Sequence, residues 1–240
     1  MRYIIMHKTN PHWESGAIPS KELIARVGAL IGEMAKSRVF VAGEGLRASS
    51  EGVRLRFSGG ARTITKGPFR GENELPAGFA ILRTGSLDEA VEWATRQAAT
   101  LGDVEMDIRP INEPWDVGIC EAPSDLTKRR WMVLRKATAA TESGESPSAS
   151  QRATMSRLVD ESTRSGVHVA SESLRPSARV RRYKNSADGR RVIDGPFTET
   201  KELIAGYCIV NAESLEEACR WAEKYIDVVE TDEVDVRELE

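Results

Sequence analysis

Apolar positions along this chain follow two rhythms, and the same succession of rhythms occurs twice. A short apolar run, Tyr3 to Met6, predicts a central strand, and Trp131 to Leu134 predicts its counterpart. From about Ser20 the spacing changes to three or four residues. Leu23, Ile24, Val27, Leu30, Ile31 and Met34 then mark one face of a helix, with Pro19-Ser20 suited to starting it. The second helix shows a weaker face, Met155, Leu158 and Val159, in the same register. Val39-Phe40-Val41 opens another strand. Val53, Leu55 and Phe57 alternate with arginines, which predicts a half-exposed strand. Ser58-Gly59-Gly60 and Ala187-Asp188-Gly189 read as hairpin turns. Phe79–Leu82 and Tyr207–Val210 are apolar strands. Ser86 caps a helix carrying Leu87, Ala90, Val91 and Trp93, and Val104, Met106 and Ile108 close the unit as an alternating strand.

A shift of 128 positions lays residues 2–112 on 130–240 without a gap, and 38 of the 111 pairs are identical. Glu14-Ser15-Gly16 returns as Glu142-Ser143-Gly144, and Gly67-Pro68-Phe69 as Gly195-Pro196-Phe197. Glu105, Asp107 and Arg109 return as Glu233, Asp235 and Arg237. Repeats of this length are domains, so the chain divides into a first copy (1–112), a linker (113–129) and a second copy (130–240). The element order is β-α-β-β-α-β with a hairpin in the middle connection. The expected fold is α+β: two tandem ferredoxin-like βαββαβ units, each with a four-stranded antiparallel sheet, packed as an intramolecular dimeric α/β barrel. The linker, with Pro114 and Pro123, reads as a tether across this pseudo-dimer.

Composition narrows the function classes. A net charge of −3 gives no general attraction to nucleic acid or to an anionic membrane, and the short basic clusters are balanced by nearby acids. No segment approaches about 18 consecutive apolar residues, and the apolar N-terminal run is too short for a leader. Three cysteines without metal-ligand spacing fit a reducing, cytoplasmic setting, with Cys208 and Cys219 as buried apolar residues. The partners expected are a small-molecule ligand, the internal pseudo-dimer and, beyond it, further self-association.

The stretch Asp194-Gly195-Pro196-Phe197-Thr198-Glu199-Thr200-Lys201-Glu202-Leu203 resembles the signature of the YCII-related, or DGPF-domain, family. Gly43-Glu44-Gly45-Leu46-Arg47, Ser58-Gly59-Gly60 and Ile204-Ala205-Gly206-Tyr207 are similar to the same family, and the resemblance spans nearly all of both copies. It implies small bacterial proteins of the dimeric α/β-barrel superfamily, usually single-copy homodimers of largely unassigned function, and supports the fold more than any chemistry. Some relatives are thought to use a His–Asp pair with the histidine near the start of the first helix. The matching stretches, Lys21-Glu22-Leu23 and Ala149-Ser150-Gln151, hold no histidine, so that pair does not carry over.

The signature is whole only in the second copy, where Asp194 stands against Lys66 in the first. If the acid is functional, the better-preserved site belongs to the second copy; the competing reading is a turn braced by Asp, Gly and Pro. Asp194 and Glu172 are the catalytic candidates. The ligand-binding candidates are Arg175, Glu44, Arg47, His7, Glu199 and Lys201, with a glutamate as base and an arginine holding an anion. The competing reading of Glu44 with Arg47, and of Glu172 with Arg175, is an exposed ion pair. His7, His12 and His168 lack a third ligand at metal spacing, and no nucleotide loop is present, so neither metal nor cofactor is expected. Trp93 and Trp221 are expected in the core, and Trp13 and Trp115 in loops that line or cover a cavity. Two readings follow: a small-molecule-binding or cofactor-independent enzymatic barrel performing proton transfer or lyase chemistry, or a noncatalytic sensing, regulatory or structural module.

Overall fold

The computed structural model describes residues 1–69, 74–197, 200 and 202–240. The fold is α+β, with two antiparallel sheets and, among the described residues, six α-helices. The first copy supplies β1 (Arg2–Lys8), α1 (Pro11–Glu14), α2 (Lys21–Lys36), β2 (Phe40–Gly45), β3 (Val53–Ser58), β4 (Ala61–Lys66), β5 (Pro76–Thr84), α3 (Leu87–Leu101) and β6 (Val104–Pro110). The second supplies β7 (Arg129–Lys136), α4 (Ala139–Glu142), α5 (Ala149–Arg164), β8 (His168–Ser173), β9 (Arg181–Ser186), β10 (Gly189–Asp194), β11 (Ile204–Asn211), α6 (Leu215–Val228) and β12 (Glu233–Glu238). The main helices begin as the sequence predicts. Ser20 Oγ accepts from Leu23 N at 3.1 Å, and Ser86 Oγ from Glu89 N at 3.2 Å, each satisfying an otherwise unpaired first-turn N–H.

Neither copy owns a sheet. One sheet runs β10-β9-β12-β1-β11-β2 and the other β4-β3-β6-β7-β5-β8. The first therefore joins β1 and β2 of the first copy to four strands of the second, and the other sheet does the reverse. This corrects the expectation of a separate four-stranded sheet in each copy. The seams are regular: Tyr3 to His7 pair with Glu238 to Val234, and Met106 to Pro110 with Arg135 to Trp131.

The central strands are buried on both faces, which explains their unbroken apolar runs. On β1, Tyr3 and Ile5 face α2 and α6, whereas Ile4 and Met6 face the other sheet. On β7, Trp131 and Val133 face α3, and Met132 and Leu134 face inward. The inner layer joins the sheets through Phe79 and Tyr207, whose ring centroids are 4.9 Å apart.

Charge is buried in the same layer. Lys8, 1% exposed, lies 2.9 Å from Asp235, which also accepts from Arg182 at 2.6 and 2.8 Å. At the equivalent place Lys136 pairs with Glu74 and, at 2.8 Å, with Asp107, which Arg54 holds in a two-pronged grip at 2.7 and 2.9 Å. Arg54 is thus a half-buried, paired group, not an exposed one as the alternating strand pattern predicts: Phe69 lies over its guanidinium, and Glu74 and Asp107 bind it. Burial pulls the Lys136 ammonium well below the usual lysine range, and Arg54 and Lys8 add to this. Burial pushes Asp235 up, but Lys8 and Arg182 outweigh it and hold the carboxyl below its ordinary value.

The Gly-Pro-Phe present in both copies serves this layer. A Cβ on Gly195 would collide with the Ser177 carbonyl oxygen, and one on Gly67 with that of Ser49, so both positions require glycine for close approach. Phe197 N then donates to Ser177 Oγ at 3.2 Å, and its ring lies 4.1 Å beneath the Arg182 guanidinium; Phe69 does the same with Ser49 and Arg54.

Removing one partner of a buried pair strands the other charge. Lys8→Met is expected to destabilise the protein by about 3 kcal/mol in urea unfolding. Arg62→Met, which breaks the exposed pair with Glu92, is expected to cost under about 1 kcal/mol. Equal effects would show that the buried pair does not anchor the sheet seam.

Candidate functional site

Two cavities lie on the helical sides of the sheets, and the 128-residue shift relates their walls. The first, about 500 Å³, sits between α2 and the sheet containing β1, β11 and β2. The second, about 510 Å³, sits between α5 and the other sheet. Each is walled by both copies, so neither belongs to one copy alone.

Most of the first cavity is apolar, with Leu23, Val27, Leu30, Met34, Phe40 and Cys208 in its lining. Its floor is opened by glycine. His7 on β1 pairs with Gly206 on β11, which pairs with Gly45 on β2. A Cβ at Gly206 would come within 2.5 Å of both His7 Cε1 and the Glu44 carbonyl oxygen. The absence of a side chain at Gly206 therefore makes room for the His7 ring. Its Nδ1 is 2.8 Å from the Tyr225 hydroxyl of α6, and Nε2 has no protein partner among the described residues. Burial, helped by Arg109 and Lys8, lowers the imidazole to about 4, so the ring is neutral at physiological pH. Burial likewise pushes the Tyr225 hydroxyl well above the ordinary tyrosine range and the Cys208 thiol up to about 12; both stay protonated.

The mouth is charged and internally paired. Arg47 donates to Glu51 at 2.8 Å and meets Asp116 at 3.0 Å. Asp116, Val117 and Ile119 of the linker line the cavity, so the tether is also a cover. Trp13 lines it too, from α1 rather than from a loop. Glu44 is in the lining, but its carboxylate pairs with Arg130 of the other sheet, which Glu113 also grips at 2.8 and 2.9 Å. Burial raises the Glu44 carboxyl, with Arg130 acting against it.

Of the residues singled out in the sequence, His7, Glu44 and Arg47 thus meet around one cavity, with Arg47 at its rim. Glu172 lines the second cavity, paired with Arg2 at 2.5 Å. Asp194 and Arg175 line neither. Asp194 ends the exposed edge strand β10, 72% exposed, and pairs with Arg181 at 2.9 Å, whereas Arg175 pairs with Glu238 at 3.2 Å. Asp194, Glu172 and Arg175 are therefore not brought together at either of these cavities, β10 being the last strand of its sheet. Glu199 and Lys201 lie outside the described residues. Among the described residues, no group of three His, Cys, Asp or Glu side chains is placed to hold a metal ion, and no helix is long and apolar enough to cross a membrane.

Sequence reasoning missed Tyr225, Cys208 and the linker wall. No local signal pairs His7 with Tyr225: they lie 218 residues apart, and most aligned positions of the two copies differ, so the replacements at Arg135 and Gln97 do not stand out.

No curated protein of similar sequence was found. A solved structure that matches, an aminotransferase from Brucella abortus bound to PLP, is 13% identical over 62% of this chain and 72% of that one; its TM-score of 0.12 carries no argument about fold or chemistry. The YCII-related domain profile, by contrast, matches residues 1–112 and again 130–238, nearly the whole chain, and the chain belongs to that family as a two-copy member.

Proposed function

We propose that the cavity beneath α2 binds an uncharged, mainly apolar small molecule whose hydrogen-bonding head meets His7. The observation that carries this is the neutral imidazole, fixed by Tyr225 and with Nε2 open, on the floor of an otherwise apolar space. A cavity of about 500 Å³ with one oriented polar group suits a ligand of about two fused rings. A charged ligand would be desolvated with no opposite charge to receive it, because Arg47 is already engaged by Glu51 and Asp116. The strand orders support reading the β12-β1-β11-β2 and β6-β7-β5-β8 quartets as ferredoxin-like units and the two sheets as a dimeric α/β barrel closed within one chain. The open Nε2 also favours a second reading, in which His7 moves a proton at a carbon acid such as an enolisable ketone.

β-Tetralone, a bicyclic ketone, probes both. Its titration is expected to change tryptophan emission saturably through Trp13, and Trp13→Phe should remove the signal. His7→Phe is expected to weaken binding about tenfold, the worth of one hydrogen bond to a buried partner. Binding without change in His7→Phe would overturn the reading. In D2O, faster α-proton exchange by the wild type but not by His7→Phe would establish the proton-transfer chemistry; no acceleration would leave a binding protein.

The imidazole makes a separate prediction. Its pKa falls from about 6.5 in the unfolded chain to about 4 in the folded one. Between these values the unfolded state binds more protons, so stability is lost as pH falls from 6.5 towards 4. Discounted for its contact with cavity water, this is about 2 kcal/mol. The wild type is expected to lose that much more stability than His7→Phe over this range, and NMR should show the ring neutral at pH 5. An imidazole titrating near 6.5 would refute it.

A further inference from the structure

The second cavity carries different chemistry at the same address. Arg135 stands where the first has His7, and Gln97 where it has Tyr225. Gly78, the counterpart of Gly206, gives the guanidinium its room: a Cβ there would lie 3.2 Å from Arg135 Nη2. Arg135 is half-buried, and Nη2 donates to the Ala77 carbonyl at 3.1 Å. Among the described residues that is its one hydrogen bond, and it forms no ion pair. Other partly buried arginines of this chain are matched by acids: Arg54 to Asp107, Arg130 to Glu44 and Glu113, and Arg182 to Asp235. Nor does the cavity supply an acid by direct contact. Glu172 is taken by Arg2, and the exposed Glu240 acts on Arg135 without pairing with it. Val133, Met155 and Leu101 line the same cavity and give it apolar surface.

We propose that this second cavity is a binding site for a small carboxylic acid with an apolar body, the carboxylate docking on the Arg135 fork and the body lying against the Val133–Met155 wall. A guanidinium offers two parallel donors to a carboxylate, and Arg135 has the unused donors for that geometry. The Gln97 amide, in the same lining, is a further donor of the kind a carboxylate accepts. The inference rests on Arg135 and is independent of the reading of the first cavity, so one protein would carry a neutral-ligand site and an acid site.

Naphthoate is the probe, with uncharged naphthamide as its control, measured by isothermal titration on the whole protein. Saturable naphthoate binding is expected, weakened tenfold to a hundredfold in Arg135→Gln and unchanged in His7→Phe, whereas naphthamide, an uncharged bicycle of the kind assigned to the first cavity, is expected to keep its affinity in Arg135→Gln. Arg135→Lys keeps the charge without the fork and should weaken binding about threefold or more, which serves if Arg135→Gln does not fold by its thermal melt. Absence of saturable binding, a loss of naphthamide affinity in Arg135→Gln as large as that of naphthoate, or naphthoate affinity unaffected in a folded Arg135 variant would each overturn the proposal and leave Arg135 as a solvated side chain.

Discussion

The structure depends on charges buried between the two sheets. Lys8 from the first copy reaches Asp235 from the second, and Lys136 from the second reaches Glu74 and Asp107 from the first. An ammonium in such a place is tolerable only with its carboxylate beside it, and in both cases that carboxylate comes from the other copy. The same layer holds Arg109 of β6 donating to the Ile204 carbonyl at 2.6 Å and Arg237 of β12 donating to that of Pro76 at 2.5 Å, each from one sheet to the other. Separating the halves would leave lysines, arginines and carboxylates facing an apolar layer without partners. The strand exchange is thus tied to the charge pattern, whereas the apolar contacts of Ile4, Met6, Met132 and Leu134 supply adhesion without specifying a partner.

That arrangement also accounts for the Gly-Pro-Phe present in both copies. The glycine admits the Ser49 or Ser177 backbone, and the phenylalanine covers Arg54 or Arg182, which in turn grips the aspartate of the buried pair. The acid before it has no such duty, since Asp194 only reaches Arg181 at an exposed edge and the first copy has Lys66 instead.

Much of the secondary structure was legible because it follows local rules. Ser20 and Ser86 cap their helices, Gly59 and Gly60 adopt positive φ in the hairpin, and the alternating Val53 and Leu55 mark the buried face of β3. The exchange was not legible, because a strand carries the same apolar pattern whichever copy its neighbour comes from. Arg54 reads as a surface residue until Phe69, Glu74 and Asp107 are seen to enclose it. The site was legible in fragments: His7, Glu44 and Arg47 could be chosen by type, but Tyr225, 218 residues from His7 along the chain, meets it only through the exchanged packing of α6 on β1.

Two family domains in one chain change what such an architecture can do. Two identical subunits around a two-fold axis must have identical cavities, so any substitution in one wall appears in both. Here the walls differ where it matters chemically, with a neutral His7–Tyr225 pair against Arg135 and Gln97, while the buried charge seams are kept on both sides. The linker widens the asymmetry, since it runs once and lays Asp116, Val117 and Ile119 over the first cavity only. The shared seam resists change because each substitution there strands a buried charge, whereas a cavity wall loses only local contacts. Retention of the seam and divergence of the cavities are therefore two consequences of one distribution of energetic cost.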